Sequence, residues 1–171
     1  MEEKHGFEQF TEIVARLRGR DGCPWDKAQT MESLKPCMIN EMTEAIGGID
    51  LYQKTGNPAN LCEELGDVLL QVVLLSRIAQ EEGLFTIEDV IEGIARKMVR
   101  RHPHVFGSQT ASGEEVPGQW EEIKKAEKAG RPLEWEQLEK KAFLEAAEQV
   151  TEALRISSAK ILDKSPDALY K

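Results

Sequence analysis

The chain has 171 residues, of which 40% are hydrophobic and 31% are charged, and its formal net charge is −9. This length allows one domain with a real core, and the composition is typical of a soluble globular protein rather than a disordered one. The negative charge argues against nucleic acid as a partner, because phosphate-backbone binding needs a basic surface. No stretch of about 18 apolar residues is present, so we expect neither a membrane span nor an export signal.

The cysteines are few, odd in number and widely separated. Cys23, Cys37 and Cys62 show no CxxC spacing, which indicates neither a disulfide framework nor a zinc site. We therefore expect a cytoplasmic location, where thiols remain reduced.

Hydrophobic periodicity predicts two helices in the first third of the chain. The first runs from about Gly6 to Leu17, and the segment RDGCPWDKAQT after it is predicted as a loop because it contains Gly and Pro. The second helix covers roughly Met31 to Lys54. It could bend near Pro36 and loosen at its paired glycines.

The rest of the chain also has helical patterns. A third helix is predicted from about Pro58 to Glu82, and a fourth from Thr86 until Pro103 stops it. The polar segment GSQTASGEEVPGQ then separates this bundle from two further helical stretches, the last of which we interpret as an oligomer or packing helix. With no strand alternation, the prediction is an all-α chain with a domain at residues 1–107, a loop at 108–118 and a helical extension at 119–171.

An acidic stripe interrupts the apolar third helix. Asn60, Glu64, Asp67 and Gln71 follow one another at steps of three and four, which places them on one helical face between apolar residues. The neighbouring Glu63 is interpreted as an ordinary solvated acid. Carboxylates hemmed in by apolar surface must take up protons or bind a cation.

A second acidic pair lies on the preceding helix. Glu41 and Glu44 are three residues apart, and an antiparallel hairpin could bring them to face Glu64 and Asp67 with an offset of about one turn, or 5 Å. Because all these candidate ligands are oxygens, the pattern predicts a hard ion such as Mg²⁺ or Mn²⁺. The alternative is that the acids are solvated and pair with lysines.

These motifs resemble those of the MazG-like nucleoside triphosphate pyrophosphohydrolases. NEMTEAI followed by EELGDVLLQVV is similar to the family's two acidic motifs, and LRGRDGCPWDKAQT is similar to its opening segment. RIAQEEGLFTIEDVI, KMVRRHPHVFG and WEEIKKAEK are similar to its later segments. The resemblance covers about Phe10 to Lys128.

The resemblance implies a four-helix-bundle-like core of the all-α NTP pyrophosphatase type with additional C-terminal helices. It also implies Mg²⁺-dependent hydrolysis of (deoxy)nucleoside triphosphates to monophosphate and pyrophosphate by a homodimer or higher homo-oligomer. Either of two glutamates, Glu41 or Glu44, would orient or deprotonate the attacking water. The implied metal ligands are Glu41, Glu44, Glu64 and Asp67, and the implied phosphate-binding residues are Lys97 and Arg101 with Arg100 as a neighbour.

Other residues have two interpretations. Lys97 and Arg101 could simply compensate a helix dipole. Trp25, Asp26 and Gln29 could contact a nucleobase, or Trp25 could fill the end of the bundle while Asp26 caps a helix. Trp120 and Lys124 are four residues apart and could contribute a stacking ring and a phosphate contact, although packing of Trp120 on the bundle is the simpler interpretation.

One position departs from the family pattern. Asn40 stands where the family usually has the first of two adjacent glutamates, and an amide carries no negative charge. This difference keeps open an alternative function, a catalytically weakened nucleotide-binding or regulatory module.

Overall fold

The computed structural model describes residues 5–108, 110 and 112–163. Every regular element within these residues is a helix, which confirms the all-α prediction. None of these helices is both long enough and apolar enough to cross a membrane. In chain order the helices are α1 (Phe7–Arg18), α2 (Pro24–Ala28), α3 (Lys35–Thr55), α4 (Ala59–Glu81), α5 (Ile87–Arg101), α6 (Pro103–Phe106), α7 (Val116–Lys128) and α8 (Leu133–Asp163).

The segment between α1 and α3 contains a short helix where the sequence predicted only a loop. Pro24 begins α2, because its fixed φ suits the first turn of a helix. The turn before it requires Gly22, since a Cβ there would lie 2.1 Å from the Leu17 carbonyl oxygen. The same oxygen accepts a hydrogen bond from the Cys23 N–H at 2.7 Å. Five residues are too few to show helical periodicity, which is why the sequence missed α2.

Helices α3 and α4 form a hairpin joined by a tight turn. α3 begins at Lys35 and has Pro36 in its first turn, so the predicted bend near Pro36 is wrong. Gly56 ends α3 with a left-handed φ of 71°, and its N–H donates to the Tyr52 carbonyl at 2.7 Å. This short turn makes α4 return antiparallel along α3.

A single glycine brings the two helices of this hairpin into close contact. Gly48 is buried, and a Cβ there would lie 3.1 Å from the Cα of Leu61 and 3.2 Å from Oδ1 of Asn60. At Gly47, a Cβ would meet no other described group within 4 Å. α3 continues as one helix through both glycines, so Gly48 serves the packing of α3 against α4.

The core lies beside the second half of α4. Val73, Leu74 and Ile78 of α4 are buried together with Val14 of α1 and with Leu34. The buried part of α4 begins at residue 71, whereas the first half of this helix is half-buried or exposed. The packing therefore leaves the first half of α4, which carries the acidic residues, beside α3 and open to ligands.

The chain divides into two compact units, Met1–Ile87 and Glu88–Lys171. The division expected from the sequence, into residues 1–107, 108–118 and 119–171, stays a prediction.

The second unit contains helices with few buried side chains. Pro103 ends α5, as predicted, and also begins the four-residue helix α6, which the sequence did not predict. Among the described residues of α5, α6 and α7 none is buried. In α8, large apolar side chains such as Trp135 and Phe143 are exposed.

Candidate active site

Three carboxylates from two helices converge on the α3–α4 hairpin. Glu41 belongs to α3, Glu64 and Asp67 belong to α4, and one oxygen from each lies within 4.8 Å of the other two. Spacing by three residues places Glu64 and Asp67 on the same face of α4. The close approach at Gly48 brings that face to α3. All three acids are half-buried, so the hairpin gathers three negative charges in a poorly solvated place.

Glu44 stands beside this three-acid cluster and interacts with it. Its pKa is raised, first by loss of hydration and then by the negative charge of Glu64 and a hydrogen bond with Glu64. A hydrogen bond between two carboxyl groups requires one of them to carry a proton. Glu44 is exposed and is not one of the three residues whose oxygens converge.

The same crowding raises the pKa of Glu41. Partial burial is the largest cause, followed by the negative charges of Glu44, Asp67 and Glu64. Carboxylates held this close together are destabilised as long as all of them are ionised, and either a proton or a cation relieves that repulsion.

The donor atoms of the cluster suit a hard divalent cation. All three are carboxylate oxygens, and no His or Cys belongs to the group. Around an octahedral Mg²⁺ with ligands at about 2.1 Å, adjacent oxygens are about 3 Å apart and opposite ones about 4 Å apart. The separations of up to 4.8 Å in the cluster exceed the spacing of adjacent ligands by up to about 2 Å, so the side chains would have to close in on a bound ion.

Two amide side chains extend the polar stripe on α4. Asn60 Nδ2 donates a hydrogen bond to Glu64 Oε1 at 2.8 Å and so orients that carboxylate. Gln71 is 7% exposed, and its Oε1 has no hydrogen-bond partner in the described part of the chain. Outside the cluster, Asn40 and Glu63 are exposed.

The α2 segment is held at the other end of α4. Arg18 donates through Nη1 to the carbonyl oxygens of Asp26 and Gln29, and through Nη2 to Glu81 at 2.7 Å. The hydrogen bond from Arg18 is the largest cause of the lowered pKa of Glu81. Glu81 follows Asp67 by fourteen residues in the same helix, which corresponds to about 21 Å along its axis.

The candidate base-binding residues Trp25, Asp26 and Gln29 belong to this α2 segment. Trp25 is 76% exposed, so in this chain it does not fill the end of the bundle, as one interpretation of the sequence proposed. Asp26 lies inside α2 and makes no cap, while Gln29 donates through Nε2 to the Trp25 carbonyl at 3.2 Å. These residues are therefore fixed near Glu81 and are not brought to the three-acid cluster.

In the second unit, the candidate basic residues gather around one carboxylate. Arg101 Nη2 lies 2.6 Å and Arg100 Nη2 lies 2.5 Å from Glu127. The Arg101 guanidinium also lies over the ring of Trp120, with Cζ 5.1 Å from the ring centroid. The ring of His102 packs edge to face on Trp120, with the ring centroids 5.0 Å apart, so Trp120 packs against both Arg101 and His102.

The two candidate lysines do not take part in this group around Glu127. Lys97 is exposed on α5. Lys124 pairs with Glu121 at 2.8 Å within α7. The sequence interpretation missed Glu127, although Trp120, Lys124 and Glu127 recur at helical steps of four and three and so share one face of α7.

Most of this chain is similar in sequence to one region of several longer proteins. The YabN protein of Bacillus subtilis (strain 168) is 53% identical over 125 residues, which are 72% of this chain and 25% of that protein. The nucleoside triphosphate pyrophosphohydrolase/pyrophosphatase MazG of Thermotoga maritima is 50% identical over 122 residues, which are 71% of this chain and 45% of that protein. This chain thus spans less than half the length of these relatives.

A solved structure and a family model agree with these relatives. The crystal structure of a mazG-related protein from Thermotoga maritima covers 69% of this chain and 98% of its own, with 32% identity and a TM-score of 0.56. The model of the MazG nucleotide pyrophosphohydrolase domain matches residues 29–106, which include all three converging acids. This chain therefore belongs to the MazG family.

Proposed function

We propose that this chain hydrolyses (deoxy)nucleoside triphosphates to nucleoside monophosphate and pyrophosphate in a reaction that depends on Mg²⁺. The observation that carries the proposal is the convergence of Glu41, Glu64 and Asp67, whose oxygens lie within 4.8 Å of one another. Membership of the MazG family and the name of the Thermotoga maritima relative support the same reaction.

The three converging acids would hold the ion, and Glu44 would handle the proton. When bound, Mg²⁺ or Mn²⁺ supplies positive charge that stabilises the negative charge developing on the phosphoryl oxygens. Glu44 lies beside the cluster and is not one of the three acids that would hold the ion, so its carboxylate would act as the general base. It accepts a proton from water as the water oxygen bonds to the α-phosphorus. The bond from this phosphorus to the bridging oxygen then breaks, and pyrophosphate leaves.

The remaining candidate residues would bind the substrate. The basic side chains would neutralise the phosphates, as cationic groups commonly do in phosphoryl transfer. Trp25 is exposed enough to stack on a ring, and since it is distant from the acids of its own chain, we propose that it meets the base only in an oligomer. The proposed phosphate-binding residues are Lys97, Arg100, Arg101 and Lys124, and the proposed base contacts are Trp25, Asp26, Gln29 and Trp120.

A product assay tests this function. The purified chain is incubated with Mg²⁺ and a panel of ribo- and deoxynucleoside triphosphates, and the products are separated. We expect monophosphate and pyrophosphate, a complete loss with a chelator, and a loss of at least roughly 10²-fold in Glu64→Ala and Asp67→Ala. Glu63→Ala is the matched control, because Glu63 is exposed beside Glu64 and outside the cluster. Diphosphate and orthophosphate as products would refute attack at the α-phosphorus.

Comparing the wild-type chain with Asn40→Glu in the same assay tests the alternative function, a nucleotide-binding module with weakened catalysis. If the wild-type chain binds nucleotide without forming product and Asn40→Glu forms product, the chain is a nucleotide-binding module rather than an enzyme. Asn40 lies next to Glu41 on α3, so a carboxylate there would add negative charge at the edge of the cluster.

We also propose that the chain works as a homodimer or higher homo-oligomer. Large apolar side chains recur along α3 at steps of four and three residues and remain exposed, and two more are exposed on α4. A second copy would cover such a surface, which water does not favour. The α3 stripe consists of Met38, Met42, Ile46 and Ile49, and the α4 residues are Leu65 and Leu69.

The cytoplasm is the proposed location of the chain. All three cysteines are free thiols, which fits a reducing compartment.

A further inference from the structure

Glu127 receives two arginines of α5 on one carboxylate. Arg101 donates to it through Nε at 3.2 Å and Nη2 at 2.6 Å, and Arg100 donates through Nε at 2.6 Å. Two positive charges and one negative charge leave a net positive charge in this group. The hydrogen bonds from both arginines hold the pKa of Glu127 at about 2, with that from Arg101 the larger cause, so Glu127 is ionised at neutral pH.

The two arginines differ in how firmly they are held. The side chains of Arg101 and Glu127 are each 16% exposed, whereas the side chain of Arg100 is 52% exposed. Trp120 covers one face of the Arg101 guanidinium while Glu127 binds its Nε–Nη2 edge. The Arg101 guanidinium is therefore held by Trp120 on one face and by Glu127 on one edge. In the described part of the chain, the Arg100 guanidinium is held by Glu127 alone.

An arginine guanidinium that is already held in place binds phosphate more favourably than a free one. A free arginine side chain has many rotamers, and restricting it on binding costs free energy. Glu127 uses the Nε–Nη2 edge of Arg101, so with respect to Glu127 the Nη1 side stays available to an oxyanion. The net positive charge of the group favours the same ligand.

We propose that Glu127 is a positioning residue, which holds the Arg101 guanidinium against Trp120 so that Arg101 meets the phosphates of the substrate in a fixed orientation. This inference rests on the proposed function, because it requires a polyphosphate ligand. The competing idea is that the Glu127 carboxylate occupies the place of a phosphate and weakens binding.

Binding of inorganic tripolyphosphate to the full chain distinguishes these ideas without any turnover. Titration calorimetry in Mg²⁺ and 0.5 M salt screens the general effect of changing one charge. We expect Glu127→Gln to weaken binding roughly tenfold, and Glu127→Asp to restore it to within about threefold of wild type. Glu92→Gln is the matched control, because Glu92 pairs with Arg96 on the exposed side of α5.

A double-mutant cycle shows whether Glu127 acts through Arg101. In the Arg101→Ala background, Glu127→Gln is expected to have no further effect on tripolyphosphate binding. A merely structural role would instead weaken binding by the same factor in both backgrounds, and that result would overturn the proposal. Unchanged or tighter binding by Glu127→Gln, or no binding by the wild type, would overturn it as well. Pyrophosphate release tests the proposed function separately, so a chain that binds tripolyphosphate without turnover would refute only the enzyme.

Discussion

Glu41 shows how a single side chain can be unfavourable for folding and favourable for ligand binding. Its pKa is raised by partial burial and by three neighbouring acids. In the metal-free protein the folded state therefore binds protons more readily than the unfolded state, whose glutamates titrate near 4.5. The contribution of Glu41 to stability is therefore greatest when Glu41 is protonated, and it falls as the pH rises through the raised pKa of Glu41. A divalent cation in the proposed site would relieve this repulsion.

Glu41→Gln tests this account directly. Because the acids are partly solvated, we take their repulsion as about 1 kcal/mol, which corresponds to a gain of roughly 2–4 °C in Tm for the metal-free variant at pH 7. The gain is expected to shrink toward pH 4, because the raised pKa of Glu41 means that this residue of the wild type takes up a proton there. Added Mg²⁺ is expected to raise the Tm of the wild type more than that of the variant.

Thermal melts at several pH values, with and without Mg²⁺, measure all three effects. Glu63→Gln removes the same charge from an exposed neighbour of the cluster and is expected to change Tm by less than about 1 °C. A lower Tm for metal-free Glu41→Gln at pH 7 would contradict the repulsion argument.

Residue spacing predicted the members of this cluster, because positions on one helical face depend only on the period of the helix. Glu64 and Asp67 could be paired in this way, and Glu41 and Glu44 likewise. The register between the two helices could not be predicted, since it depends on Gly48 and on the Gly56 turn in three dimensions. That register places Glu41 among the converging oxygens and Glu44 beside them.

At the level of elements, two adjacent glycines of α3 have different surroundings, and only Gly48 lies against α4. A Cβ at Gly48 would press on the backbone of Leu61 at 3.1 Å, whereas at Gly47 it would meet no other described group within 4 Å. The backbone of α4 cannot yield as a flexible side chain could, so the two helices would have to move apart at Gly48. The three acids lie on these two helices and would separate with them.

The pair Gly48→Ala and Gly47→Ala tests this difference within one helix. We expect Gly47→Ala to stabilise the chain by roughly 0.5–1 kcal/mol, because alanine favours the helix. Gly48→Ala is expected to destabilise it by about 1 kcal/mol or more, because overpacking outweighs the same helical gain. Urea unfolding measures both, and Mg²⁺ titration is expected to show weaker binding only for Gly48→Ala. Equal effects of the two substitutions would contradict a packing role of Gly48.

The sequence predicted the long helices well and missed the short ones. α3, α4 and α5 have enough residues for apolar periodicity and clear ends such as Gly56 and Pro103. The helices α2 and α6 are five and four residues long, and both begin at a proline that sequence analysis interprets as a break. The pairing of α5 with Glu127 also could not be predicted, because it links residues of helices separated by a long connection.

At the scale of the whole molecule, the exposed apolar α3 stripe supports the proposed oligomer. Ile46 is 61% exposed and Met42 is 54% exposed, although both lie in a regular helix. Among the described residues, Val14 is the only large side chain with an exposed fraction below 2%. In the proposed oligomer, a chain with so little buried apolar surface would gain much of its stability from association.

Ile46→Glu is expected to break the proposed oligomer. A charge in the centre of a dry interface cannot be compensated, so light scattering is expected to give the 19.2 kDa mass of one chain. Its Tm is expected to fall and to lose any dependence on protein concentration. Lys54→Gln changes the net charge by the same amount at an exposed position of α3 and is expected to keep the wild-type mass. A monomeric wild type would contradict the proposed assembly.

The tight Gly56 turn also has a kinetic consequence. All three converging acids lie between residues 41 and 67 of one hairpin, so they meet through contacts that are local in sequence. Local contacts tend to form early in folding, so we expect the mutual repulsion of the acids to be present already in the transition state. A divalent cation held by these acids would then change mainly the rate at which the chain folds and less the rate at which it unfolds.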